Sequence, residues 1–225
     1  MRSSYGDSAK ETPHGFRNGA NTPAQGTAGA GMIAAAIVAT WFAAIVATGA
    51  ADIFVAGPSA PPLAVFAAIA VPPLVFAIAY ARSAGVRAFV LGLDLRVLTA
   101  MQAWRVIGLV FLAFYAFDML PGIFAWPAGL GDAAVAVGAI AALGAMLRQA
   151  PGWRRGVFWL NIAGLVDFAV AIATGVLTSN SAVGIFNDGA PRIELNALPM
   201  SLIPTFAVPF WIIVHTISLL QLRQR

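Results

Sequence analysis

Six apolar stretches, at 31–51, 62–81, 100–120, 127–147, 156–178 and 198–222, divide the sequence, with short breaks rich in Pro, Gly, Ser, Asn or Arg between them. A bilayer core of about 30 Å takes about 20 residues of helix, so each stretch is long enough to cross. Hydrocarbon offers no hydrogen-bond partners, and a backbone run of that length satisfies its own N–H and C=O groups only as a helix. Composition agrees: 60% of the 225 residues are hydrophobic and 10% are charged, and the mean hydropathy is +0.84. The expected fold is therefore all-α, a polytopic integral membrane bundle of six transmembrane helices forming one domain over 31–222. Residues 1–30 are polar and small, predicting a disordered cytoplasmic tail, and 223–225 make a short cytoplasmic C-terminus. The first apolar stretch is too long, and its polar lead too extended, for a cleaved secretory signal, so it reads as a retained first span.

Charge sets the expected orientation. With the N-terminus inside, Arg2, Lys10 and Arg17, then Arg82, Arg87, Arg96 and Arg105, then Arg148, Arg154 and Arg155, and finally Arg223 and Arg225 fall on one side, 12 of the 13 basic residues. Arg192 alone falls on the other. Such a bias over short loops predicts both termini in the cytoplasm and a bacterial inner (cytoplasmic) membrane as the location. Tyr80, Trp104 and Trp153 fit an aromatic belt at the inner boundary, where Arg105 and Arg154 snorkel to the surface. Segment 86–99 mixes Asp94 and Arg96 with Leu and Val, predicting an interfacial helix on the inner leaflet. The basic residues stand singly or in pairs and form no patch for nucleic acid.

Ionisable groups inside a span are expensive and point to function. Asp118, Asp132, Asp167 and His215 are the candidates for a proton or cation site. Counting along the helices puts Asp118 and Asp167 each about 20 Å above an inner Arg, and Asp132 about 7 Å below the outer end of its helix. These depths match, so three carboxylates are expected to share one level in the outer half, below Asp52, Asp188 and Glu194 on the outer loops. His215 lies slightly deeper, within reach of Asp167. Trp104-Arg105 precedes Asp118 as Trp153-Arg154 precedes Asp167, with the same 13-residue spacing from Arg to Asp, an echo between the third and fifth spans. Pro204 and Pro209 interrupt the sixth span and free the carbonyls of Met200 and Thr205, while Pro72 and Pro73 do the same to Ala68 and Ile69 in the second. A kinked or locally unwound outer half is expected in the sixth span. Gly131, Ala134, Gly138 and Ala142 make one face of the fourth helix small, suited to close packing within the chain or in a homo- or hetero-oligomer.

Gly129-Leu130-Gly131-Asp132 resembles the Gly-x-Gly-Asp signature of intramembrane aspartyl proteases. That resemblance implies a dyad of Asp132 with Asp118 on the preceding helix, sharing one proton to activate water. Other chemistries leave no trace: cysteine is absent, and no Gly-x-Ser-x-Gly or His-Glu-x-x-His occurs. The other histidine, His14, lies in the tail, which excludes bis-histidine haem ligation within the folded domain, and no cofactor is implied. The pattern favours transport, binding or assembly over catalysis. A small transporter-like or accessory bundle handling a proton or cationic solute is the expectation, with a structural subunit of a larger membrane complex and the protease as alternatives.

Overall fold

The computed structural model describes residues 23–189 and 193–224; most of the expected tail, Arg192 and the last residue lie outside them. All regular structure among the described residues is helical: α1 (Pro23–Ala50), α2 (Leu63–Arg82), α3 (Ala84–Gly92), α4 (Leu95–Met101), a 3-10 segment (Gln102–Leu109), α5 (Val110–Ala116), α6 (Gly122–Leu147), α7 (Trp153–Leu177), a π turn (Ile203–Ala207) and α8 (Val208–Gln224). Six helices among them are long and apolar enough to cross a membrane, with α4, the 3-10 segment and α5 counting as one and the π turn with α8 as another.

Local chemistry sets the boundaries. The Ser83 hydroxyl accepts from Val86 N–H (3.3 Å) and starts α3, and the Asp94 carboxylate accepts from Arg96 N–H (2.8 Å) and starts α4. Gly152 takes φ 79° at the turn into α7, a conformation a side chain would resist. In the last span the two prolines act as expected. The chain enters it through turns, Ile203 N–H donates to the Met200 carbonyl that Pro204 leaves free (3.0 Å), and Val208 N–H reaches back five residues to Ile203. Pro72 and Pro73, by contrast, sit inside an unbroken α2.

Three expectations are corrected. The third span runs from Leu95 to Ala116 rather than 100–120, so segment 86–99 is no single surface helix. It breaks before Asp94, and its Val90, Leu98 and Thr99 are buried, the first two with Val214 and Ile217 of α8. The fourth span starts at Gly122, because Pro127 within the second turn of α6 costs one hydrogen bond without ending the helix. Trp104 and Arg105 therefore stand well inside the third span, with Trp104 71% exposed on the outside of the bundle and Arg105 buried inside it.

Short connections place the ends. Loops 51–62 and 117–121 and the connecting residues 178–189 and 193–202 gather at one end of the bundle, and 83–94, 148–152 and the end of α8 at the other. Arg82, Arg87, Arg96, Arg148, Arg154, Arg155 and Arg223 all lie at this second, basic end. There a dense core of Leu95, Val135, Ala139, Val157 and Leu160 joins α4, α6 and α7. At the opposite end Phe111, Leu120, Phe124 and Met200 form the core beneath the loops.

Candidate functional site: a buried arginine fork

The 3-10 segment explains how the site is built. Three residues per turn keep positions three apart eclipsed, so Gln102, Arg105 and Gly108 share one face, and all three are buried while Trp104 and Ile107 point outward. An α-helix of the same sequence would fan these side chains around its axis.

Arg105 is the hub. Its Nε–H donates to Asp132 Oδ1 of α6 (2.6 Å) and its Nη2–H to Asp167 Oδ2 of α7. Nη1 reaches the Gly164 carbonyl (3.4 Å) and His215 Nε2 of α8 (3.2 Å), and the guanidinium carbon lies 3.9 Å from the centre of the Phe168 ring. Four of five N–H donors are thus engaged, and three other helices converge on one side chain. Ten residues separate Asp132 from the start of α6, and ten separate Asp167 from the end of α7, which puts both about 15 Å in from the loop end of their helices.

The hydrogen bonds also fix the histidine tautomer. Asn161 Nδ2–H donates to the Val157 carbonyl (2.7 Å), so Asn161 Oδ1 is the atom that faces Gln102 Nε2 (3.1 Å) and His215 Nδ1 (2.9 Å). His215 must then carry its proton on Nδ1 and accept from Arg105 at Nε2. Three glycines make this packing possible. A Cβ at Gly108 would overlap the Asp132 carboxylate, one at Gly131 the Asp167 carboxylate, and one at Gly164 the His215 ring. Gly131 and Gly138, read from the sequence as a small face, are both turned toward α7 of the same chain, where Gly138 meets Leu160.

Above the fork lies a cavity of about 380 Å³ that runs toward the loop end and has Asp132, Asp167 and Glu194 among its lining residues. Its remaining walls are mostly apolar, with Phe111, Phe124 and Phe168 prominent, and no Lys or Arg lines it among the described residues. A second cavity of about 340 Å³ opens between the third span and α8 beside Trp104 and Trp211, and it shares Asp132 and Phe168 with the first.

Of the four residues expected at the site, Asp132, Asp167 and His215 come together and Asp118 does not. Asp118 sits exposed in the turn after α5 at φ 55°. Arg105, expected to snorkel, is the residue that unites the others. The Trp-Arg-Asp echo has no structural counterpart: Arg154 bonds the Leu222 carbonyl (2.7 Å) at the basic end, whereas its partner in the echo is buried at the centre. Gln102 and Asn161 were not singled out for chemistry, yet each is a lone amide in an apolar span, and the three-residue spacing of Gln102, Arg105 and Gly108 was readable. The Gly-x-Gly-Asp match acquires a packing explanation, since Gly129 faces Leu112 and Gly131 faces Asp167. A guanidinium bonds both Asp132 and Asp167, whereas Asp118, the partner that the resemblance implies for Asp132, is exposed in the turn after α5.

Fold and fork together define a helical bundle with six helices of membrane-crossing length, organised around one buried cation held by two carboxylates. The chain belongs to the family described as Domain of unknown function (DUF8737), whose model matches residues 61–223. That region contains α2 to α8 and every residue of the fork. No curated protein and no solved structure matches the chain.

Proposed function

We propose that the chain is a transporter-like membrane protein that takes a proton or a cationic solute from the loop side to a central site at Asp132 and Asp167. The carrying observation is the fork at the floor of an acid-lined cavity. One guanidinium and two ionised carboxylates sum to one negative charge, and a net charge deep in a low-dielectric bundle calls for a counter-ion. A single proton or a monovalent cation arriving through the cavity supplies it. The permanent charge of Arg105 keeps the site from holding two such ions. The cavity volume falls in the range of small-molecule sites, and its aromatic walls accommodate an organic cation as well as water.

In this reading the six long helices span the membrane over 31–222, with the basic end and both termini on the cytoplasmic side of a bacterial inner membrane. Moving Arg105 into the interior removes one basic residue from the inner count but leaves the bias in place. Reporter fusions at Ser59 and Asn187 should read as periplasmic and fusions at Pro151 as cytoplasmic; a cytoplasmic signal at Asn187 would reverse the assignment.

The functional test is flux into liposomes holding the full chain, measured with an internal pH dye and with radiolabelled sodium, guanidinium or tetraethylammonium. Asp132→Asn and Asp167→Asn should each abolish the flux found for the wild type. Unchanged flux in both variants would refute the site. The structural-subunit reading draws on α1, whose Met32, Ile33 and Ile37 are bare; co-purification of a fixed membrane partner, with no flux of any kind, would favour it.

A further inference from the structure

Below the fork, on the side of the basic end, the bundle carries a second polar feature. Thr99 and Gln102 continue the Arg105 face at three-residue spacing, and Ser218 and Gln221 continue the His215 face of α8 in the same way. Asn161 of α7 stands between them at the head. These side chains are enclosed to the last few per cent: Thr99, Gln102, Asn161, His215 and Ser218 are 0% exposed and Gln221 is 1% exposed. They run between the apolar clusters of Leu95 and Val157 on one side and Leu98 and Val214 on the other. A bundle face made for packing alone would be filled with Leu, Val and Ala, as those clusters are.

The hydrogen bonds of this column are lopsided. Gln221 Nε2 donates to the carbonyls of Val90 (2.8 Å) and Leu93 (2.9 Å), so its amide orientation is fixed, and its Oε1 accepts nothing among the described residues. Gln102 Nε2 donates to Asn161 Oδ1, which fixes that amide too, and its Oε1 is likewise without a partner. The Thr99 and Ser218 hydroxyls spend their protons on the carbonyls of Leu95 (2.8 Å) and Val214 (3.0 Å), leaving their oxygens as acceptors. The column therefore presents acceptors whose donors must come from elsewhere. Buried acceptors are satisfied almost without exception, and where protein does not do it water does. An acceptor-lined water file favours an excess proton over any anion.

We propose that this column is a hydrated proton path joining the central site to the basic end, with His215 as the group that passes the proton between them. The inference rests on the reading of Asp132 and Asp167 as a proton or cation site and narrows the ion on the inner side to a proton. Neither of these two cavities has a column residue in its lining.

The transfer balances. When Arg105 Nη1 turns off His215 Nε2, the carboxyl O–H of Asp167 breaks and an N–H forms at Nε2, leaving an Asp167 carboxylate to pair with Arg105 and an imidazolium at His215. The ring then turns and gives that same Nε2 proton to a column water, which becomes hydronium beside Gln102 Oε1, and on turning back it is again neutral with its proton on Nδ1 facing Asn161 Oδ1. One proton enters the imidazole and one leaves. Arg105 keeps its own protons throughout and acts as the positioning residue that decides when Nε2 is free.

The test uses the full chain in liposomes with internal pyranine, driven by a potassium gradient and valinomycin. Gln102→Leu and Gln221→Leu, which remove an acceptor and fill the space with carbon, should slow proton entry at least about tenfold, the change expected from losing about 1.4 kcal/mol of stabilisation for the moving proton. Gln102→Leu should melt in detergent near the wild-type temperature, because Asn161 Oδ1 keeps its His215 donor. Gln221→Leu strips the Val90 and Leu93 carbonyls of their donor and should melt lower, so proton entry is compared per folded molecule. His215→Phe should stop proton entry while cation-dependent thermal stabilisation by guanidinium or tetraethylammonium persists. Wild-type proton entry through both Leu variants, with Asp167→Asn blocked, would overturn the column and leave the central site standing. A wild type that binds or moves the organic cations but never protons would do the same. Proton entry undiminished in Asp167→Asn would remove the central site and the column together.

Discussion

The two halves of the bundle treat polar groups in opposite ways. Toward the loop end, Asp132, Asp167 and Glu194 face an open cavity with aromatic walls. Toward the basic end, Thr99, Gln102, Asn161, Ser218 and Gln221 are neutral and packed between apolar clusters. Charged side chains stand where a cavity opens to them, and uncharged amides and hydroxyls stand where neighbouring side chains enclose them. That division follows from solvation, since an enclosed charge without a partner costs far more than an enclosed amide. Arg105 marks the border and belongs to both halves: its Nε and Nη2 serve the carboxylates, and its Nη1 serves His215 at the head of the column.

Removing that border residue should have the largest effect. Arg105→Leu leaves two carboxylates close together with no cation, and breaking a buried pair in this way costs about 3–5 kcal/mol. We expect poor folded yield and a sharply lowered melting temperature in detergent, read by fluorescence-detected size exclusion. The triple variant Arg105→Leu with Asp132→Asn and Asp167→Asn should recover most of the loss, because no unpaired charge remains. An Arg105→Leu protein that melts like the wild type would show that the halves are joined by apolar packing and not by the fork.

The glycines around the fork sharpen the contrast at a smaller scale. Gly164→Ala places a methyl where the His215 ring stands, and overpacking of this kind costs about 1–3 kcal/mol. Gly156, two turns earlier on the same α7, meets nothing within 4 Å. Gly156→Ala should stabilise by up to about 1 kcal/mol, since alanine has the higher helix propensity. Opposite signs from two substitutions eight residues apart on one helix, measured by thermal unfolding, would localise the tight packing to the fork. Equal effects would mean that the Gly164 contact relaxes easily.

The sequence made the helices legible and left the site half hidden, for one reason. Apolar length shows where a span lies but not its register, and register decides depth. Starting the third span at 100 placed Arg105 near a surface where snorkelling explains it; starting it at Leu95 carries the same side chain to the centre. The same shift, from 127 to Gly122 in α6, moves Asp132 from near an end to ten residues in, beside Asp167. Asp94 as an N-cap was the signal for the earlier start, and it was read as an interfacial charge instead. The proline break in the last span was legible because a missing N–H acts locally, whatever the packing. The pairing of Arg105 with two helices 27 and 62 residues away was not, since it depends on a 3-10 winding that periodicity at 3.6 does not reveal.

Asp118 gives the smallest expected effect and the cleanest boundary to the comparison. Its depth, counted from the sequence, matched that of Asp167, yet it stands in the exposed turn between α5 and α6 and lines neither cavity. Its role there is conformational: at φ 55° the backbone is left-handed, a region that Asp and Asn tolerate and β-branched residues resist. Asp118→Asn should change stability by less than about 0.5 kcal/mol and leave liposome flux at the wild-type level. Asp118→Val should lower stability by about 1–2 kcal/mol through backbone strain alone, again with flux per folded molecule unchanged. Thermal melting and flux measured on the same preparations separate the two roles. If Asp118→Asn reduced flux while melting normally, a carboxylate outside both cavities would be acting on the ion, and the charged half of the bundle would have to extend past the cavity to the turn itself.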